Sequence, residues 1–160
     1  MPVPDVHART WLVRLRYGRS ARLVAWLMVA AWAAVIFTLS ATPHLRVAEA
    51  ADLDFVLRKT GHMAAFGLLA ILLWRALGLS GVRRAMVFSL LLAIAYAATD
   101  EFHQSFTAGR NASGVDVTID ASGALIALVA LTAWLRWWAH RTSTYSSTTG
   151  NPRMLNPPST

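Results

Sequence analysis

Residues 99–123 read T-D-E-F-H-Q-S-F-T-A-G-R-N-A-S-G-V-D-V-T-I-D-A-S-G. The stretch holds Asp100, Glu101, Asp116 and Asp120, four of the eight acidic residues of the protein, together with His103, Gln104 and Arg110. It is flanked by two uncharged runs, 85–99 and 121–135, of fifteen residues each. At about 1.5 Å per residue such a run spans about 22 Å, short of a hydrocarbon core of about 30 Å. The polar stretch is therefore expected at the membrane interface or slightly inside it. Charged groups beside hydrocarbon are costly and mark functional sites by default.

Outward from there, residues 61–79 form another apolar run, interrupted only by Arg75, and residues 23–41 form one of nineteen residues with no charge. The second of these follows a basic segment and precedes Ala48-Glu49-Ala50, which resembles a signal-peptide cleavage site. A signal peptide has an apolar region of about 7–15 residues with the cleavage site close behind it. Here the run is longer and the Ala-x-Ala lies well beyond its end, so a retained helix is expected. Pro43 closes that helix, 42–60 reads as a partly acidic loop, and Gly78-Leu79-Ser80-Gly81 is turn material ahead of Arg83-Arg84.

Composition agrees with a chain dissolved mostly in lipid. It is 56% hydrophobic and 14% charged, against about 25% charged in soluble domains, and its mean hydropathy is +0.45. The net charge of +7 comes from basic residues spread around apolar segments rather than grouped on one soluble face. It therefore reports topology, and no nucleic-acid partner is expected. The absence of cysteine excludes disulfides, thiolate catalysis and cysteine-ligated zinc. Residues 1–22 interleave Arg9, Arg14, Arg16, Arg19 and Arg22 with apolar side chains and read as a basic amphipathic arm. Residues 23–140 are the membrane domain. Residues 141–160 are rich in Ser, Thr, Pro and Asn and are expected to be disordered.

The arm, the Arg75/Arg83/Arg84 turn and the Arg136/Arg141 end would share the cytoplasmic side. Loops 42–60 and 100–120 hold every acidic residue except Asp5 and would face outward. Trp26, Trp74, Trp134, Trp137 and Trp138 fall at the proposed cytoplasmic ends. The expectation is an all-α, multi-pass protein of the cytoplasmic membrane: a four-transmembrane-helix bundle, N-in and C-in, with an outward-facing polar cluster. Alanine-rich faces such as Ala30/Ala34 and Ala93/Ala97 would let helices pack closely within a chain or in a homo-oligomer.

Alternating topology brings polar ends of three helices to one depth. Lys59 and His62 share a helix face, Asp100, His103 and Gln104 have i, i+3, i+4 spacing, and Asp116, Asp120 and Gly123 fall on one stripe if a helix begins near Val115. Lys59, His62 and Arg110 then oppose Asp100, Glu101, Asp116 and Asp120. Three readings fit. One is an ion-pair network that pins helices together. Another is a site for an anionic head group. The third is catalysis with Asp100 or Glu101 as base and His62 or His103 as partner. Asp100-x-x-His103 also has metal-ligand spacing, a pattern an interfacial helix can carry by chance. No cofactor is assigned.

Ser40-x-x-Pro43, Lys59-x-x-His62, Asp100-Glu101-x-His103-Gln104, Gly109-Arg110 and Asp116-x-x-x-Asp120-x-x-Gly123, in that order on four apolar segments, resemble the VanZ-like family. The resemblance covers about residues 23–140. It implies a small multi-helix bacterial membrane protein of the cell envelope, with a link to teicoplanin resistance and a polar site at these positions, but no defined reaction. The chain departs from the pattern at Arg58, where an acid is usual, at Ala108, where proline is common, and at Asp120, where asparagine is more frequent. Arg58 and Asp120 could offset each other's charge. Together these readings imply a protein that binds or modifies an anionic lipid-linked or cell-wall-related ligand through Lys59, His62, Asp100, Glu101, Gln104, Arg110, Asp116 and Asp120. The alternatives are an enzyme acting on a lipid phosphate and a small transporter or proton relay.

Overall fold

The computed structural model describes residues 6–42, 50–106 and 113–149 of the chain. Among them are four helices, α1 (Val6–Ser40), α2 (Ala51–Leu79), α3 (Ala85–Gln104) and α4 (Gly114–Thr149), and no strand. Each contains a stretch long and apolar enough to cross a membrane: Gly18–Ser40, Asp52–Leu79, Ala85–Gln104 and Gly114–Arg141. Many large apolar side chains, among them Leu27, Leu91, Phe88 and Ile126, are exposed, which is tolerable only in a hydrocarbon solvent.

Three helix boundaries differ from expectation. The segment before Gly61 is helical from Ala51, so Asp52, Asp54, Arg58 and Lys59 occupy the opening turns of α2 rather than a loop. Acidic residues in a first turn favour helix initiation there, because they complement the positive end of the helix dipole. The basic arm is not a separate element, since α1 runs unbroken from Val6. Residues 141–149, expected to be disordered, continue α4.

The α2–α3 connection is a tight hairpin. Gly81 adopts φ 77°, Val82 N–H donates to the Leu77 carbonyl and Gly81 N–H to the Gly78 carbonyl. This pair of bonds closes a helix when its capping residue is left-handed, which glycine adopts without steric cost.

Residues up to Leu128 form one compact unit, and each helix gives it a single stripe. The buried positions are Ala25, Val29, Ile36 and Ser40 on α1; Asp54, Phe66, Leu69, Ala70, Leu73, Ala76 and Leu77 on α2; Ser89, Ala93, Ala97, Asp100, Glu101 and Gln104 on α3; and Asp120, Ala124 and Leu128 on α4. Steps of mostly three and four keep the sets on α1 and α4 on one face, while the adjacent pairs Leu69–Ala70 on α2 and Asp100–Glu101 on α3 widen theirs. Along α1, α3 and α4 the stripe is mostly apolar in the middle and turns polar toward the same end of the unit, where α1 and α3 finish and α2 and α4 begin. At this end the buried face is built from carboxylates, an amide and a hydroxyl. Residues from Val129 onward belong to a second unit, in which the Arg141 guanidinium lies 4.1 Å over the Trp137 ring.

α2 and α4 cross where both lack bulk. A Cβ at Gly67 would lie 3.1 Å from Ala127 Cβ and 3.2 Å from the Gly123 carbonyl oxygen. A Cβ at Gly123 would overlap the Met63 backbone outright. Such small-residue contacts let transmembrane backbones approach closely. Gly123→Ala should therefore force the helices apart and lower the melting temperature in detergent, at a cost of about 1–3 kcal/mol or more. Gly78→Ala, where an added Cβ meets nothing within 4 Å, should not lower it. Equal melting of the two variants would contradict the crossing.

Candidate functional site: a polar pocket at one end of the helices

The close approach at Gly123 aligns the polar ends of α2 and α4. Asp120 and Asp116 lie one and two turns before Gly123, and His62 and Lys59 lie within one turn before Met63. Lys59 Nζ pairs with Asp116 Oδ1, and the Lys59 ammonium also sits 5.6 Å from the Phe55 ring centre. His62 Nδ1 lies 3.6 Å from Asp120 Oδ2, too long for a direct hydrogen bond and an ion pair only when the imidazole is protonated. The His62 ring stacks over Phe66 at 6.3 Å. On α3, Glu101 Oε1 accepts the Ser113 N–H at 2.7 Å. This bond fixes the carboxylate against the residue that precedes α4.

These groups surround a half-open cavity of about 190 Å³. Its charged and polar lining consists of Arg58, Lys59, His62, Glu101, Asp116 and Asp120, completed by Gln104 and the apolar Phe55 and Ile119. Six of the eight expected ligand-binding residues thus meet around one space: Lys59, His62, Glu101, Gln104, Asp116 and Asp120. Arg110 lies outside the described residues.

Asp100 and His103 do not line this cavity. Asp100 is 3% exposed, and its Oδ2 accepts hydrogen bonds from Ser40 Oγ and Gln104 Nε2, each at 2.8 Å. Its Oδ1 is buried without a hydrogen-bond partner. His103 stacks on Phe37 of α1, ring centres 4.2 Å apart, with Nδ1 buried and likewise without a partner. The two residues that share D-x-x-H spacing are thus engaged with α1. Among the described residues no group of three or more His, Asp or Glu is arranged to hold a metal. Gln104 links the two layers, since it bonds Asp100 and also borders the cavity.

Arg58 carries more of the site than its sequence suggested. It lines the same cavity as Asp120, but its ion-pair partner is another acid. Its Nη2 pairs with Asp54 Oδ2 at 2.9 Å, one turn back along α2, its Nε is buried without a hydrogen-bond partner, and the residue forms part of the cavity wall. The i, i+4 relations Asp54/Arg58, Phe55/Lys59 and Arg58/His62 would have revealed this wall had the segment been read as helix.

A family model described as VanZ/LLP1 matches residues 23–136, a segment that contains every residue lining the cavity. The chain belongs to the VanZ/LLP1 family. No curated protein and no solved structure matches it. In this VanZ/LLP1 domain the cavity lining sets two permanent positive charges, Arg58 and Lys59, against three carboxylates, Glu101, Asp116 and Asp120, with His62 able to add a third positive charge. Such a lining supplies anion-binding donors and hydroxyl- or amide-binding acceptors side by side.

The buried Ser40–Asp100 bond should act as a structural tie between α1 and α3. A double-mutant cycle of Ser40→Ala and Asp100→Ala, read by thermal unfolding in detergent, should give a coupling of about 0.6–1.7 kcal/mol, between the average and the maximum for polar contacts between membrane helices. Additive effects would contradict it.

Proposed function

We propose that the protein binds the head group of an anionic amphiphile in the membrane, with the cavity at the polar end of α2, α3 and α4 as its site. The observation that carries this reading is the cavity itself, about 190 Å³ in volume and walled by Lys59, His62, Glu101, Asp116, Asp120 and the part-buried Arg58. Charged groups that only pinned helices together would leave no such space between them.

The mixed lining narrows the ligand. A bare anion gains little where carboxylates outnumber the fixed cations. A head group that offers a phosphate or carboxylate to Lys59 and Arg58, and hydroxyl or amide donors to Glu101, Asp116 and Asp120, satisfies both halves. Lipid-linked precursors and glycosylated or glycerol-bearing phosphates of the cell envelope have this composition. In this reading the polar end faces outward, with both termini cytoplasmic, in agreement with the basic residues at the opposite helix ends. The protein then resides in the cytoplasmic membrane, and a role in teicoplanin resistance follows from engagement of a wall-related ligand at the outer leaflet.

Native mass spectrometry of protein extracted gently from its own membranes tests this directly. Wild type should carry a co-purifying anionic amphiphile that Lys59→Met and Glu101→Gln each reduce at least tenfold while their melting temperatures stay close to wild type. Absence of ligand from all three samples, with both variants markedly less stable, would identify the cluster as an ion-pair network instead. In cells, loss of the protein should raise teicoplanin susceptibility, and Glu101→Gln should fail to restore it. Restoration by that variant would contradict a role for the pocket in resistance.

A further inference from the structure

Beside the polar pocket, α1 and α2 line a second, larger and open groove of about 480 Å³. Its walls are almost wholly apolar. Trp32, Val35, Ile36 and Leu39 come from α1, and Leu57, Gly61, Ala64 and Leu68 from α2. The volume falls within the range of small-ligand sites, about 300–1,000 Å³. Gly61 and Ala64 make the α2 wall low, and a Cβ built at Gly61 meets nothing within 4 Å.

The two hollows meet at defined residues. Arg58 and His62, one turn apart on α2, line both of them. One side of this turn faces Glu101, Asp116 and Asp120, and the other faces a hydrocarbon-lined groove. A partition of this kind has the order of an amphiphile, with head on one side and chain on the other. Arg58, whose side chain is 40% exposed, is the fixed cation common to both walls, and a phosphate joining head to chain would meet its guanidinium there.

Resting on the head-group reading above, we propose that the α1/α2 groove seats a hydrocarbon chain of the same ligand, and that Arg58 and His62 mark the point where head becomes chain. The site is then a two-part receptor for one membrane amphiphile. Selectivity comes from the head group in the pocket, and much of the affinity comes from a chain that need not leave the bilayer to bind. Trp32, whose indole N–H donates to the Ala65 carbonyl at 2.9 Å, holds the two walls of the groove at a fixed separation.

The test uses full-length protein in phosphatidylcholine nanodiscs with two probes that share a phosphate-and-hydroxyl head group. These are phosphatidylglycerol, which has chains, and glycerophosphoglycerol, which has none. Wild type should bind phosphatidylglycerol at least tenfold more tightly than the chainless compound. Gly61→Phe and Ala64→Phe place a ring in the groove at open positions, so they should remove that preference and leave binding of the chainless compound unchanged. Equal affinity for the two probes in wild type, or phosphatidylglycerol binding that survives both fillings, would overturn the groove assignment and leave the head-group site standing. Failure of wild type to bind either probe would overturn the head-group reading for phosphate–hydroxyl ligands, and the groove assignment with it.

Discussion

The polar end of the molecule depends on one close approach, that of the Gly123 backbone to the backbone of Met63. Nothing larger than hydrogen fits at Gly123, and this lack of bulk sets the register between α2 and α4. From that register follow the pairing of Lys59 with Asp116 and the placement of His62 against Asp120. The depth at which Glu101 meets Ser113 is set along with them. A shift by one helical turn would leave several charges facing hydrocarbon or each other, which a low-dielectric environment penalises heavily. Van der Waals contact between small residues thus specifies an electrostatic site.

The acidic residues divide into two layers with different work. Asp100 faces α1 and ties it to α3 through Ser40, with Gln104 as a second donor. Glu101, its neighbour in sequence, is turned about 100° around the helix and borders the cavity with Asp116 and Asp120. The first layer ties α1 to α3, and Gln104 connects it to the second. A membrane helix has no hydrophobic driving force toward its neighbours, so buried polar contacts of this kind contribute to assembly as well as to chemistry.

Much of this was legible in the sequence. Four apolar runs gave four membrane-length helices, and the polar residues at their ends gave most of the cavity lining, because alternating direction brings the start of α2 and α4 to the end of α3. Two features were hidden. The charges at Asp52, Asp54, Arg58 and Lys59 made the first turns of α2 resemble a loop, since apolar-run analysis stops at a charge even when helix geometry continues through it. Helix spacing put Asp100 and Glu101 on neighbouring faces, but which helix each face meets was out of reach. Spacing of i, i+3 and i+4 shows which residues share a face, but not which neighbouring helix that face meets. The Asp54–Arg58 pair was missed for the first of these reasons: Asp54 is one turn away only if the segment is helical.

The account stands or falls on whether the cavity holds a molecule. A crystal structure from a lipidic mesophase, grown with protein that has kept its native lipids, would decide this most directly. The account predicts density for a charged head group between Lys59 and Glu101, with the Lys59–Asp116 pair opened or shared to receive it. A cavity that contains only water, with the Lys59–Asp116 pair closed, would contradict it.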